Sequence, residues 1–340
     1  MPWCVRKCPY CDFNSHVVPA EAPFADYLTA VLRDLDFELA ERPLPEPPIT
    51  LFFGGGTPSL LPPTLLADLI AGIRRRTALC PAAEITLEAN PGTIERGRFV
   101  AYAAAGVNRV SLGAQSFDDD LLHRIGRIHS ATETEQAIAE LVAAGIDNFN
   151  LDIMYGLPGQ DAPSALGDLE RAIAHEPAHV SWYELTLEPG TVFYRRPPRL
   201  PPEGTLEEME AAGRQRLAAA GYVRYEISAY ARAGAHCRHN ENYWGYGDYL
   251  GVGPGAHGKR SAEGRIWRSE RILSPRRWLR RAGGSEAVGV REVAPGERAF
   301  EYLLNALRCV RGFDWPDFEA RTGLARDAVA VPGAEAGAEG

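Results

Sequence analysis

The chain has no excess of basic charge. Its 36 Lys and Arg against 45 Asp and Glu leave a net charge of -9, so no overall positive field draws in nucleic acid or anionic lipid. It also lacks any run of about 18 apolar residues, the length a membrane-crossing helix requires. The first residues carry neither a charged leader nor an apolar h-region, and a cytoplasmic protein is expected. Cysteine is scarce, at six in 340 residues, too few for a disulfide scaffold and more in keeping with metal or redox chemistry in a reducing compartment. Half of the six nevertheless fall in one stretch, "WCVRKCPYCDFNSH", as Cys4, Cys8 and Cys11.

Three thiols so close together can serve one metal centre. A zinc site closes four ligands and would need His16 as the fourth, while a disulfide with a spare thiol is disfavoured by a reducing compartment. A 4Fe-4S cluster takes one ligand per iron, and three cysteines would leave one iron open to chelate an amino and a carboxylate group.

Downstream of the cysteines, short apolar runs alternate with helical patterns. "ITLFF", "ITL", "RVSL", "NFNLDIMYG", "VSWYELTLE" and the later "YVRYEISAY" read as strands. Segments such as "LPPTLLADLIAGIRRR", "TETEQAIAELVAAG" and "LEEMEAAGRQRLAAAG" read as helices. Steps of roughly 30 residues or more fit strand-helix units and a parallel sheet, in an open or a barrel arrangement. Polar residues fall just past or within four successive strands: "GGGTPS", "EANPG", "QSF" and Asp152. Each has an ordinary explanation as a turn, cap or surface group, but together they point at the carboxyl end of a parallel sheet, where α/β folds build ligand sites. Cys80 and Cys309 are expected in or near cores.

The C-x3-C-x2-C spacing resembles the signature of the radical S-adenosylmethionine (SAM) superfamily. "PWCVRKCPYCDFNSH", "FFGGGTPSL", "LEANPG", "SLGAQSFDDDLLHRIGRIHS" and "NLDIMYGLPGQ" resemble the branch of oxygen-independent coproporphyrinogen III oxidases and related heme chaperones, from residue 2 to about 325. The resemblance implies a partial (βα)6 TIM-like barrel of the radical SAM type over residues 1–235, followed by a small, mostly helical C-terminal unit over 291–327. Between them would lie a Gly, aromatic and His-rich loop and hairpin region over 236–290, with a disordered tail over 328–340. It implies that Cys4, Cys8 and Cys11 hold the 4Fe-4S cluster and that Tyr10 packs near the adenine. Gly55, Gly56 and Thr57 would lie against the methionine amino group. Glu88, Gln115 and Arg127 would meet the polar ends of SAM, and Asp152 a ribose hydroxyl. The reduced cluster would pass one electron to the sulfonium and release a 5'-deoxyadenosyl radical.

Two functions compete within that branch. One is oxidative decarboxylation of coproporphyrinogen III; the other is binding heme and handing it to an acceptor protein. The decarboxylase loop resembles C-x3-C-x2-C-x-C, and Phe13 occupies its last position here. "HNENYW" at 239–244 resembles a pattern of the chaperones, which makes His239 a candidate heme ligand with Tyr243 and Trp244 covering a porphyrin face. Cys237, His236 and His257 are weaker candidates. The chaperone reading is preferred, with a heme-accepting protein and an electron donor such as flavodoxin or ferredoxin as partners, a homodimer, and peripheral membrane association through the acceptor. RNA modification would draw on Arg74–Arg76 and "SPRRWLRR", which read more simply as solvated helix faces. With only Met1, Pro2 and Trp3 ahead of Cys4, an unpaired edge is expected beside the first sheet strand, and the C-terminal unit is expected to be short.

Overall fold

The structure is a computed structural model that describes residues 1–92 and 97–329. The expected tail lies, from residue 330, outside the described residues.

Two short strands, β1 (Trp3–Cys4) and β2 (His16–Val17), pair in parallel at the neck of the cysteine loop. The main sheet follows: β3 (Thr50–Phe53), β4 (Glu84–Ala89), β5 (Arg109–Gln115), β6 (Phe149–Tyr155) and β7 (His179–Glu184) run parallel in that order. The run at 222–230 is not a further parallel strand. Only four residues separate β8 (Val223–Arg224) from β9 (Ala229–Ala231), so the chain reverses, and the pair completes a seven-stranded sheet in the order β3-β4-β5-β6-β7-β9-β8.

Helices at 63–77, 99–105, 131–143, 162–174 and 203–219 follow the strands and cover the outer face. Their starts are fixed locally. Ser130 forms a capping box with Glu133, and Asp161 accepts from Ser164 N–H, interactions worth about 1 kcal/mol each. Helix Phe24–Glu41, with no counterpart in the sequence reading, adds Tyr27, Val31 and Leu35 to the same core.

Successive strand residues face opposite sides. On β5, Val110, Leu112 and Ala114 join the outer core, while Arg109, Ser111, Gly113 and Gln115 line an internal cavity. Strands β6 and β7 repeat the pattern, with Phe149, Leu151, Ile153, Val180 and Trp182 outward and Asn150, Asp152, His179, Ser181 and Tyr183 inward. The inner face of this sheet is therefore polar.

Beyond residue 236, helix Arg238–Trp244 leads into an antiparallel sheet of β10 (His257–Ala262), β11 (Arg265–Arg271) and β12 (Val288–Glu292). Tyr246 and Ile266 share an apolar cluster with Val293, Tyr302 and Phe318, so the hairpin region and the helices Pro295–Ala306 and Trp315–Thr322 have one core between them. Cys80 packs against the main core and Cys309 is half-buried. The two basic runs lie on helices: Arg76 pairs with Asp36 at 2.6 Å, and Trp278 of "SPRRWLRR" is buried.

The hairpin is fastened to helix Phe24–Glu41 by a buried ion cluster. Arg271 reaches Asp34 at 3.3 Å and Glu38 at 2.6 Å, and Asp34 also accepts from Gly253 N–H. Breaking one partner of such a cluster leaves uncompensated buried charge. Asp34→Ala is expected to cost about 3–5 kcal/mol, measurable as a lowered midpoint in urea; an unchanged midpoint would mean that the clamp does not hold the hairpin.

Candidate functional site

The cysteine loop is tied down on several sides. At its neck β1 pairs with β2, and Lys7 Nζ bridges the Phe13 and Ser15 carbonyls at 2.9 and 3.3 Å. The backbone N–H groups of Gly56 and Thr57 donate to Met1 O and Trp3 O, each at 2.7 Å, so the stretch ahead of Cys4 is tied to the Gly-rich turn, while β3 stands at the edge of the seven-stranded sheet as expected. A Cβ on Gly56 would lie 2.5 Å from Trp3 O, which explains why glycine is needed there. On the far side, a Cβ on Gly126 would stand 2.5 Å from Pro9 Cδ, and Gly126 has φ +78.

Each thiol meets a polar group. Thr57 Oγ1 donates to Cys4 Sγ at 3.3 Å, Arg127 Nη1 to Cys8 Sγ at 3.8 Å, and Ser15 Oγ lies 3.9 Å from Cys11 Sγ. Burial pushes the Cys4 and Cys11 thiols up, so a bound metal is what would favour their thiolate form. His16 turns to Asn14 at 3.1 Å and is exposed. Among the described residues no group of three His, Cys, Asp or Glu side chains is gathered around one point, the three cysteines included.

All three cysteines open into a cavity of about 590 Å³ that runs down the polar inner face of the sheet. Tyr10, Gly56, Thr57, Glu88, Gln115, Arg127 and Asp152 line it as well. Gly55 stands just behind: its φ is +112 and its N–H donates to Glu88 Oε2 at 3.0 Å. Arg127 is no solvated helix-end cation, since it holds Asn90 Oδ1 at 2.5 Å and Gly113 O at 2.7 Å. Gln115 has φ +70 at a register shift in β5, and Tyr183 OH donates to its Oε1 at 2.7 Å. Such irregularities re-aim side chains next to binding sites. Asp168 secures the following turn by accepting from Ser116 Oγ and Phe117 N, each at 2.7 Å.

Asp152 is not a turn cap. It accepts from Ser111 Oγ at 3.1 Å and Asn150 Nδ2 at 2.8 Å; Asn150 Oδ1 meets His179 Nδ1 at 2.7 Å, and His179 Nε2 meets Tyr225 OH at 2.7 Å. Burial holds His179 well below its ordinary range, so a neutral imidazole can relay one orientation along the whole chain.

His239 lies apart from this group. Helix Arg238–Trp244 reaches the floor of the cavity through Asn240, while His239 is not among the lining residues; Glu84 accepts from Arg238 N at 3.2 Å and His239 N at 3.1 Å. The His239 ring stacks on Phe52 at 4.5 Å and meets Tyr243 edge-on, with Nδ1 3.4 Å from Thr50 Oγ1. Burial, then Arg109, pull its pKa down to about 4. His236 stacks on Tyr225 and meets Glu241, His257 is exposed, and Trp244 packs against Tyr225.

The sequence reading missed Arg109, Ser111, Asn150, His179, Ser181 and Tyr183 among the lining residues. Their signal was present: polar residues at every second position of "RVSLGAQ", "NLD" and "HVSWY" mark one face of each strand.

Residues 1–172 match the radical SAM superfamily and residues 293–336 the HemN C-terminal domain. The chain is 47% identical to the heme chaperone HemW of Escherichia coli, across 100% of this chain and 89% of that protein. It is 44% identical to the heme chaperone HemW of Haemophilus influenzae, across 97% and 86%. The chain belongs to the HemW family of radical SAM proteins. The crystal structure of E. coli coproporphyrinogen III oxidase (HemN) superposes with a TM-score of 0.79 over 95% of this chain and 77% of that one, at 20% identity, a likeness of fold. The family implies a 4Fe-4S cluster and SAM. The residues fit both: three thiols, each near a polar group, open into one cavity whose polar side chains continue away from them.

Two outcomes follow. Gly126→Ala adds a left-handed-backbone penalty of about 1–2 kcal/mol to the clash with Pro9 and is expected to lower iron and sulfide content after anaerobic reconstitution, with far-UV circular dichroism retained; full cluster content would refute the packing argument. Glu88 gives a pH signature. Burial, then Asp152, push its pKa from 4.5 to about 7. The folded form therefore binds the proton more tightly than the unfolded chain, and this contribution to stability is present below pH 4.5 and is lost as pH rises towards about 7. In the apoprotein, the stability difference between Glu88→Gln and wild type should grow in favour of the variant across that window, and a flat difference would contradict it.

Proposed function

We propose that this protein is a heme chaperone: it binds heme as cargo on a scaffold carrying a 4Fe-4S cluster and SAM, and delivers heme to an acceptor protein. The observation that supports it most is identity of 47% along the full chain to a protein named heme chaperone HemW. Phe13, 55% exposed on the rim of the cysteine loop where the decarboxylase pattern has a further cysteine, agrees with it.

When bound, the cluster would supply single-electron reduction of the SAM sulfonium. The chain's own residues supply placement. Cys4, Cys8 and Cys11 would hold three irons, and the hydrogen bonds from Thr57 and Arg127 to the Cys4 and Cys8 sulfurs would tune the potential. Glu88 and Arg127 would receive the amino and carboxylate ends of SAM and Asp152 a ribose hydroxyl, with Tyr10, Gln115 and the Gly55–Thr57 turn completing the enclosure. His239 is kept neutral by burial, the form that ligates iron, and its ligation of heme requires the ring to leave Phe52. A flavodoxin or ferredoxin as electron donor, a homodimer and a membrane-associated acceptor belong to the same reading. Among the described residues no helix is long and apolar enough to cross a membrane.

The test is anaerobic reconstitution followed by parallel incubation with hemin and with coproporphyrinogen III. One heme per chain, a Soret shift lost in His239→Ala, and no decarboxylated product are expected. Formation of protoporphyrinogen would replace this reading with the decarboxylase.

A further inference from the structure

Four arginines are buried among the described residues, and three of them are fully engaged. Arg260 donates to Glu38 O and Pro43 O, Arg271 to Asp34 and Glu38, and Arg298 to Val293, Gly264 and Thr322 carbonyls. Arg109 is the exception. It is 2% exposed, lies at the start of β5 on the inner face of the sheet, and lines the cavity. Its Nε has no hydrogen-bond partner among the described residues.

Nearby carboxylates do not complete it. Asp152 is taken by Ser111 and Asn150, and Glu84 by the backbone of Arg238 and His239 and the Cys237 thiol. Arg109 is close enough to Asp152, Cys237, His179 and His239 to bias the titration of each. An arginine cannot shed its proton to escape burial, so a buried guanidinium whose Nε lacks a partner is a cost to the fold that a ligand would relieve. Ser228 and Asn240 line the same cavity and are neutral.

We infer that Arg109 is the anion receptor of the cavity floor and takes a carboxylate of the molecule housed beneath the cysteine loop. Resting on the function proposed above, that carboxylate is a propionate of the tetrapyrrole cargo. A guanidinium presents two parallel N–H donors that match a carboxylate, and the receptor stands at the opposite end of the cavity from the cysteines. Cargo would then be gripped at its acidic edge while its ring meets Phe52, on which His239 stacks.

The experiment compares hemin with hemin dimethyl ester, whose propionates are blocked, on reconstituted wild type, Arg109→Gln and Arg109→Lys, with SAM affinity and thermal midpoint measured on the same preparations. Wild type should bind hemin about ten- to hundredfold more tightly than the diester, as expected for hydrogen bonds to a charged group. Arg109→Gln should abolish that preference, Arg109→Lys should retain part of it, and the thermal midpoint of Arg109→Gln without ligands should rise because a buried guanidinium with an unpartnered Nε has gone. Equal preference in wild type and Arg109→Gln overturns the inference and leaves the chaperone reading standing. A loss confined to SAM affinity overturns it by assigning the carboxylate to the nucleotide. A lowered midpoint overturns it by making Arg109 a structural element. Failure of wild type to bind either porphyrin removes the chaperone reading and the propionate assignment together.

Discussion

A sheet that turns polar side chains towards its own concave face cannot fill that space by packing, and this constraint organises the rest of the molecule. Small closed barrels fill their interiors with interlocking side chains. Here the inner positions of β5, β6 and β7 carry Arg, Ser, Gly, Gln, Asn, Asp, His and Tyr. Such groups keep their place only through hydrogen bonds to one another or to a guest. The chain from Asp152 through Asn150 and His179 to Tyr225 is the first solution. The cavity of about 590 Å³ beside it leaves room for the second.

The ends of the cavity are closed by different means. At one end a loop carrying three thiols is held by backbone hydrogen bonds to a Gly-rich turn, by a lysine across its own carbonyls, and by contact with Gly126. These contacts work by close backbone approach, and the buried Trp3 beside Cys4, packed against Phe24 and Tyr27, anchors the loop in the core. At the other end, helix Arg238–Trp244 rests its first N–H groups on Glu84 and its aromatic side chains against β3 and one another. That floor belongs to the same region as the hairpin clamped by Arg271, so residues far along the chain complete a cavity begun by the first few.

Much of this was legible beforehand, and the gaps have physical causes. The cysteine spacing, the strand-helix alternation and the polar residues past the strand ends pointed to the loop, the parallel sheet and a shared mouth, since each signal is local in the chain, while the family resemblance supplied seven further residues that line the cavity. The direction of β8 and β9 was misjudged because an apolar run of nine residues conceals a reversal at Tyr225–Ala229 that only hydrogen bonding reveals. Helix Phe24–Glu41 went unread, although its buried positions recur at helical spacing. The inner-face residues were passed over because a strand was read as an apolar run; alternation within it would have separated Arg109 and Ser111 from Val110 and Leu112. His239 was singled out by motif, and a motif says nothing of where a ring points; its stacking on Phe52 depends on residues nearly two hundred positions away.

The same reasoning separates the residues that support the fold from those that burden it. Arg271, without solvent access, binds two carboxylates and fastens a hairpin, so its charge is balanced whatever the cavity contains. Arg109, equally buried, has an Nε without a partner, and its hydrogen-bonding capacity is completed only if something enters. A folded chain tolerates a few such costs, and they gather where a ligand is received. Cys4 and Cys11, whose thiolate forms are disfavoured by burial, obey the same rule at the opposite end. One end of the cavity calls for a cationic centre to keep its thiolates, and the other calls for an anion to complete the hydrogen bonds of its guanidinium. A molecule bound between them is therefore oriented before any chemistry begins.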